Sequence, residues 1–251
     1  MFQKNKNIIL GIGDIHGKNT WESIIKKEDV SRVIFLGDYF DSFNIPFQEQ
    51  WDNFQNILTY KRDNPKKVVL LFGNHDYHYL IDTHEHYSGY QPEHKNQIAA
   101  MFELELQNNM FDMCYVYNDF LVSHAGVTKT WYDSNVKNKT KNIRDDINNL
   151  FKTNPEAFKF TPSNPFDNTG DSITQSPIWV RPRALLSDKV DGFIQIVGHT
   201  HQEHIKINEE VIFVDSLEYG NEYLIINKNV PEIGTIEDSY GKGNYGHNLY
   251  K

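Results

Sequence analysis

Five short polar clusters, each placed directly behind an apolar run, constrain this chain more than any other feature of its sequence. Each cluster combines glycine with Asp, His or Asn, the side chains that bind metal ions. The clusters are GDIHG at residues 13–17, GDYFD at 37–41, GNHD at 73–76, SHAG at 123–126 and GHTH at 198–201. The apolar runs are continuous rather than alternating, which indicates strands covered on both faces. Polar side chains at the ends of several buried strands predict one site at one edge of a sheet.

The size and charge of the chain limit the classes of protein to consider. Its 251 residues suffice for one large core, so we predict a single domain over residues 1–236 and a loose polar tail over 237–251. The net charge of -9 argues against a general nucleic-acid or anionic-membrane surface, which needs clustered Lys and Arg. No signal peptide or membrane span is evident, and the single cysteine, Cys114, excludes an internal disulfide. The sequence therefore predicts a cytoplasmic protein.

Short β-rich runs alternate with longer amphipathic stretches, which is the pattern of an α/β layered protein. Helices are predicted at residues 20–27, 47–61, 98–110 and 136–151, and closing strands at 211–214 and 222–226. Residues 77–95 contain His78, His84, His86 and His94, yet their polar, Tyr- and Gly-containing composition predicts an exposed loop beside the site. Residues 129–190 are the most individual part of the chain, and we expect them to form a variable insert that shapes the substrate groove.

The donor types in the clusters predict the kind of metal. A mixture of Asp and His suits Mn, Fe or Zn, whereas Mg and Ca favour mostly oxygen ligands. Two ions a few ångströms apart need a shared anionic ligand, and Asp38 is the natural bridge. Water held between two such ions is a nucleophile at neutral pH. One such cluster alone could be a helix cap or a turn, but five in a fixed order predict a dinuclear site, with manganese preferred.

The order of the clusters resembles the calcineurin-like metallophosphoesterase superfamily, whose pattern is GDxHG, GDxxD, GNH[DE], a single His and GHxH. The matching motifs extend from residue 13 to residue 201, and the likeness is greatest to bacterial and phage members related to the Ser/Thr protein phosphatases. The resemblance implies a four-layer α/β/β/α sandwich of two mixed sheets flanked by helices. It also implies a phosphoester hydrolase in which a hydroxide between two metal ions attacks phosphorus.

The resemblance assigns roles position by position. One metal would be held by Asp14, His16 and Asp38, and the other by Asp38, Asn74, His124 and His199. His201, the second His of GHTH, is a further candidate ligand of the first metal. His75 would protonate the leaving oxygen, with Asp41 orienting its imidazole and keeping it charged. Asp76 is expected to support the site from behind or to begin a helix.

Two segments bear on the substrate. The segment GDYFDS resembles GDYVDRG of the protein phosphatases, but Ser42 stands where that family has a phosphate-binding Arg, and Phe43 replaces the following Gly. Residues 176–183 resemble the Trp-Arg segment of phosphatase-like members, so Arg181 is the first candidate for binding phosphate and Arg183 the second.

These features favour hydrolysis of a phosphomonoester on a phosphoprotein or a small molecule. Hydrolysis of a dinucleoside polyphosphate such as diadenosine tetraphosphate is the nearest alternative. A nuclease or phosphodiesterase remains a third possibility, although residues 77–97 lack the basic track that a nucleic-acid strand would need. A non-catalytic scaffold is disfavoured because none of the metal ligands is lost.

Overall fold

A computed structural model describes residues 8–80, 87–161 and 169–236 of the chain, and two β-sheets organise them. The strands are β1 (Ile8–Ile12), β2 (Arg32–Phe35), β3 (Val68–Leu71), β4 (Phe111–Asp112), β5 (Cys114–Tyr117), β6 (Phe120–Ser123), β7 (Ile194–Val197), β8 (Lys206–Ile207), β9 (Val211–Phe213), β10 (Glu222–Asn227) and β11 (Val230–Thr235). The helices are α1 (Thr20–Lys27), α2 (Phe47–Asp63), α3 (Asn74–Leu80), α4 (Lys95–Gln107), α5 (Lys129–Asn135), α6 (Ile143–Thr153) and α7 (Pro182–Asp188).

Both sheets are mixed. The first has the order β11-β10-β1-β2-β3-β4, with β1 to β4 parallel and β10 antiparallel to β1. The second has the order β5-β6-β7-β9-β8, with β6, β7 and β9 parallel and antiparallel strands outside them. Parallel neighbours end at the same edge of a sheet, so the segments that follow β1, β2 and β3 meet, as do those that follow β6 and β7.

The two sheets pack face to face. Ile9 and Ile34 of the first sheet share one buried cluster with Val122 and Ile196 of the second. These side chains are almost fully removed from water, which is the main favourable contribution to folding. The continuous apolar runs are explained by this packing, because the alternate residues of each strand must be buried on the other face as well.

Helices cover the outer faces. Leu10 and Phe35 point away from the second sheet and join a cluster with Trp21 of α1 and Phe54 of α2. On the far side, Leu185 of α7 packs in a cluster with second-sheet residues. The result is helix, sheet, sheet, helix, which confirms the predicted α/β/β/α sandwich.

Two predictions about single elements were wrong, and one strand was not predicted. A loop was predicted at 77–95, but residues 77–80 belong to α3, and His78 is buried in that helix. His84 and His86 lie outside the described residues. The helix predicted at 136–151 is shorter, because the Asn142 side chain accepts the main-chain N–H of Asp145 and starts α6 at residue 143. The sequence also gave no sign of the edge strand β11, which contains a Pro and a Gly.

The predicted tail, residues 237–251, lies outside the described residues. Within the described ranges, no helix combines the length and the apolar character needed to cross a membrane.

Candidate active site

The five polar clusters meet between the carboxyl ends of the two sheets. Asp14 and His16 follow β1, Asp38 and Asp41 follow β2, Asn74 and His75 begin α3 after β3, His124 follows β6, and His199 follows β7. The structure therefore brings together residues that are up to 185 positions apart in the chain. The predicted location of the site at one edge is the place where these side chains converge.

Two groups of ligand-type atoms share Asp38. In one group the donor atoms of Asp14, His16 and Asp38 lie within 4.8 Å of one another, and in the other those of Asp38, His124 and His199 do. Asn74 adds an oxygen to the second group, since its Oδ1 lies 2.9 Å from His124 Nε2 and 2.9 Å from His199 Nδ1. A carboxylate common to two adjacent donor sets is the arrangement that a pair of bridged metal ions requires.

Main-chain carbonyl groups orient the imidazoles of His16, His124 and His199. His16 Nδ1–H donates to the carbonyl oxygen of Phe40 at 2.6 Å, and His124 Nδ1–H to that of Leu36 at 2.8 Å. A carbonyl can only accept, so each Nδ1 carries the proton and Nε2 faces the shared carboxylate of Asp38, at 3.8 and 3.4 Å. Anchoring the distal ring nitrogen in this way is the usual support of a metal-binding histidine.

His199 is anchored through the other ring nitrogen. Its Nε2–H donates to the carbonyl oxygen of Trp179 at 3.2 Å, which leaves Nδ1 as an acceptor. That Nδ1 faces Asn74 Oδ1, also an acceptor, at 2.9 Å. Two acceptors at this distance repel each other unless a cation lies between them or the amide turns its NH₂ toward the ring. The donor set thus fits a cation at this point.

The site buries more negative charge than its own cations balance. Burial, followed by the charge of Asp215, raises the pKa of Asp14 well above its usual range. Burial would also raise the pKa of Asp38, but the charges of His124 and His75 hold it well below its usual value. Burial opposes protonation of His124, yet Asp38 and Asp14 raise its pKa to about 10. A cluster that makes a buried imidazole hold a proton this strongly is suited to metal cations.

The backbone of the site is strained. His16, Asp38, Asp41 and His199 all have positive φ, between 40° and 70°, in the left-handed region that non-glycine residues seldom occupy. The other non-glycine residues with positive φ in the described ranges are asparagines and one lysine outside the site. Strain of this kind persists at functional sites because it directs side chains that regular backbone would point elsewhere.

Two glycines allow the close approach of the clusters. A Cβ on Gly73 would lie 2.1 Å from Asp38 Oδ1, and one on Gly198 would lie 2.3 Å from Asp14 Oδ1. Any side chain at either position would displace a candidate ligand. The glycines beside the ligands are therefore explained by contact with carboxylates that come from other strands.

His75 and Asp41 form a dyad beside the two donor groups. Asp41 Oδ2 accepts from His75 Nδ1 at 2.8 Å, and the main-chain N–H of His75 donates to Asp38 Oδ1 at 2.9 Å. Burial alone would lower the pKa of His75, but Asp38 and Asp41 raise it above its usual value. These carboxylates therefore favour the protonated imidazole, and Nε2 is the ring nitrogen that Asp41 does not hold.

Two residues of α3 that the sequence did not single out support Asp41. Tyr79 Oη–H donates to Asp41 Oδ1 at 2.5 Å, and His78 Nε2 lies 2.8 Å from Asp41 Oδ2, off the axis of a good hydrogen bond. Although burial raises the pKa of Asp41, the neighbouring imidazoles of His75 and His78 lower it to about 2. The spacing of His78 three residues after His75 on a helix could have revealed this contact.

Asp76 supports the site from behind. Its carboxyl group accepts the main-chain N–H groups of Asp38, Tyr39 and Gly73 at 2.8 to 2.9 Å. Burial, followed by the charge of Asp38, raises its pKa to about 8. Asp76 therefore joins the loop after β2 to the loop after β3, and it also lies in the first turn of α3.

The two candidate arginines differ in placement. Arg181 lines a cavity of about 170 Å³ together with Asp14, Asp38 and His199, and its Nη1–H donates to the His199 carbonyl oxygen at 3.2 Å. Arg183 has an 87% exposed side chain and pairs with Asp171 at 2.9 Å. The structure places the first arginine at the donor groups and the second on the surface.

His201 and Asp215 also lie at this cavity. His201 is exposed, belongs to neither donor group in the described part of the chain, and has its ring centroid 4.4 Å from that of Tyr219. Asp215 was missed by the sequence reasoning, although it follows the apolar strand β9 as other ligands follow theirs; it lacks the glycine that marked the five clusters. Burial, followed by the charge of Asp38, raises its pKa to about 6.

Known proteins share this architecture. The chain aligns with the cold-active protein-tyrosine phosphatase of a psychrophilic Shewanella species at 20% sequence identity, covering 92% of this chain and 78% of that one with a TM-score of 0.61. It aligns with a Saccharomyces cerevisiae protein serine/threonine phosphatase at 14% identity, covering 94% and 82% with a TM-score of 0.57. At these identities the likeness concerns the fold alone. No curated protein matches the chain in sequence.

The calcineurin-like phosphoesterase family matches residues 8–203, which include all five polar clusters and most of the chain. The chain belongs to the calcineurin-like phosphoesterase family and is a metal-dependent phosphoester hydrolase.

Proposed function

We propose that this chain hydrolyses a phosphomonoester at a dinuclear metal site, with a phosphorylated protein as the substrate class. The observation that carries the proposal is Asp38, which belongs to both groups of donor atoms and also accepts the main-chain N–H of His75. One carboxylate would thereby take part in holding both ions, and it also holds the main chain of the proposed proton donor, His75. This is the geometry that in-line displacement at phosphorus requires.

In the proposed assignment, Asp14, His16 and Asp38 hold one ion, and Asp38, Asn74, His124 and His199 hold the other. His201 borders the same cavity and is the weakest of the proposed ligands, since its ring is exposed and rests on Tyr219. Two divalent cations held there would polarise the phosphoryl oxygens and activate water as the nucleophile. The N and O donors, without thiolate, favour manganese, with iron or zinc as alternatives.

The protein side chains supply the remaining steps. His75 Nε2 donates its proton to the leaving oxygen, and Asp41 holds the imidazole through Nδ1 so that it is oriented and charged at the moment of transfer. Arg181 binds phosphoryl oxygens, because its guanidinium lines the cavity beside Asp14 and His199. The segment 129–190, which carries this arginine, is proposed to shape the substrate groove.

A monoester is favoured over a long diester by the form of the cavity. It is small, about 170 Å³, and besides its imidazoles the described lining residues include one lysine and one arginine, Lys18 and Arg181, together with four carboxylates. A nucleic-acid strand needs a basic track along its backbone, whereas Lys18 and Arg181 border one small cavity. A cytoplasmic location remains a prediction from the sequence.

The test compares Mn²⁺-dependent hydrolysis of a phosphoserine peptide, a phosphotyrosine peptide, diadenosine tetraphosphate and an aryl phosphodiester, with Asp38→Asn as the control. We expect the phosphopeptides to be hydrolysed with the higher kcat/KM and the variant to be inactive and to bind little metal. A preference for the tetraphosphate or the diester would contradict the proposed substrate class. Full activity of Asp38→Asn would contradict the proposed site.

A further inference from the structure

Lys18 lies at the mouth of the site and is not accounted for by the proposed mechanism. It follows the GDIHG cluster directly and lines the 170 Å³ cavity together with Arg181 and the candidate ligands. It also lines an adjoining cavity of about 110 Å³ with His75 and Ser42. The residue is half-buried, so its charge borders both the cavity with the candidate metal ligands and the one with His75.

The Lys18 ammonium makes no ion pair with any residue of the described ranges. Other lysines do, such as Lys129 with Asp133 and Lys189 with Glu210 at 2.7 Å. The carboxylates of Asp215 and Glu218 line the same cavity as Lys18 without pairing with it. The cation is therefore free to bind an anion that enters the cavity.

Ser42 borders the same cavity as Lys18 and contributes no positive charge to it. Its Oγ accepts the main-chain N–H groups of Asn44 and Ile45 at 3.3 and 3.2 Å, so the side chain closes a tight turn. No positive charge comes from this position, where the protein phosphatases carry arginine. Ser42 and Lys18 nevertheless line one cavity, and a lysine arm reaching from the loop after β1 can fill the gap that the short serine leaves.

Arg181 supplies the other cation from a different part of the chain. Its Nε–H and Nη1–H groups donate to the carbonyl oxygens of Thr169 and His199 and to Thr200 Oγ1, at 3.1 to 3.2 Å. These bonds hold the guanidinium still and leave Nη2 without a partner among the described residues. An arginine held by hydrogen bonds and a lysine without an ion pair in the described ranges thus border the same cavity.

We propose that Lys18 and Arg181 together bind a terminal phosphoryl dianion, with Lys18 taking the place of the arginine that is absent at position 42. This inference rests on the proposed function and narrows it. A phosphomonoester presents two negative charges and three non-bridging oxygens, whereas a diester presents one charge and two oxygens. A second cation therefore selects monoesters over diesters.

A different role for Lys18 makes different predictions. It could serve only to offset the negative charge of Asp215 and Glu218, or it could belong to the acidic hollow of about 460 Å³ between α1 and α2, which it also borders. In either case, removal of the Lys18 side chain would change metal affinity or stability. It would affect binding of a dianion and of a monoanion equally.

The experiment measures binding of two non-hydrolysed probes to the Mn²⁺-loaded protein by calorimetry. Phenylphosphonate is used at a pH where it is a dianion, and methyl phenylphosphonate is its monoanionic ester. We expect Lys18→Met to weaken binding of the dianion roughly 10- to 100-fold, as for loss of a hydrogen bond to a charged group, and to affect the monoanion much less. Lys18→Arg should restore most of the difference.

Lys66→Met is the matched control, because Lys66 is exposed and precedes β3 at the opposite edge of the sheet. Metal content and unfolding temperature are recorded for every variant. Equal weakening of both probes, or a change only in metal content or unfolding temperature, would overturn the role of Lys18. If the metal-loaded wild-type protein binds neither probe and hydrolyses no phosphoester, the proposed function itself fails, and this inference with it.

Discussion

The two halves of the site are built differently. The inner half consists of Asn74, His124 and His199, which are at most 9% exposed and contact each other directly. The outer half has the buried Asp14 and two more accessible imidazoles, those of His16, whose side chain is 22% exposed, and of the exposed His201. Asp38 joins the two. The inner half is thus fixed before any ligand arrives, while the outer half lies where solvent and substrate reach the site.

The difference follows from the fold. The inner residues end β3, β6 and β7, so both sheets contribute to them at the place where the sheets pack together. His201 lies in the loop that leads away from β7, where its ring rests on Tyr219, itself 67% exposed. An ion site shared by two packed sheets is held by the core, whereas a site at the rim is held by loops.

The largest effect is expected when His124→Ala is compared with His16→Ala, because the two variants remove one donor from each half of the site. Removal of His124 takes away an inner donor and the main positive neighbour of buried Asp38, the carboxylate common to both donor groups, so we expect loss of both ions and of all detectable activity. Removal of His16 should leave one ion per chain. Metal content per chain after gel filtration, with hydrolysis of an aryl phosphate, measures both. Equal metal contents in the two variants would contradict the distinction between the halves.

The next effect separates proton transfer from metal binding. His75→Asn should lower kcat roughly 10²- to 10⁴-fold, as for loss of a general acid, with both ions retained, because the contact to Asp38 comes from the main-chain N–H. The loss should be smaller for a substrate whose leaving group needs no proton, such as 4-nitrophenol, than for phenol. His204→Asn, an exposed histidine beside Glu222, is the control. A variant that lost an ion would instead identify His75 as a ligand.

A smaller effect is expected from the support of the dyad. Tyr79→Phe removes the hydroxyl that donates to Asp41, and we expect a fall in kcat of about tenfold or less with an unchanged KM and a loss of about 1 kcal/mol in stability. Tyr77→Phe on the same helix removes a hydroxyl that donates to the Pro155 carbonyl oxygen at 2.7 Å. It should cost similar stability and leave kcat unchanged. If both variants lowered kcat equally, Tyr79 would have only a structural role.

The smallest effect among the candidate ligands is expected at His201. Because its ring lies outside both donor groups, His201→Ala should change metal content little and weaken only the outer ion. Titration of Mn²⁺ by electron paramagnetic resonance can count the ions that bind. Loss of one whole ion would show that His201 is a full ligand and that the outer half is as firmly built as the inner one.

Much of this site could be predicted because metal binding needs Asp, Asn and His, and here these residues stand beside glycine directly after apolar strands. Asp14, Asp38 and His199 each follow a buried strand beside a glycine, and the close contacts at Gly73 and Gly198 explain why glycine is there. This repeated combination, together with the family pattern, predicted the edge of the sheet where the donor groups lie.

The remainder depended on contacts that sequence alone does not encode. Asp215 follows β9 without a neighbouring glycine, so nothing marked it. His78 was assigned to an exposed loop because its surroundings are polar, yet α3 turns it toward Asp41. Arg181 and Arg183 flank one proline and have equal chemistry, and only the start of α7 directs them to different environments. Nothing in the sequence marked Lys18.

The left-handed backbone at the ligands has a consequence for how such a protein can change over generations. Asp, Asn and His are among the few residues besides glycine that accept this conformation readily. A substitution such as Asp38→Asn should therefore abolish catalysis while the loop keeps its shape, whereas Asp38→Val should also lower the urea concentration at which the chain unfolds. A lineage that no longer needs the reaction can thus lose it in one step and keep the fold as a binding surface.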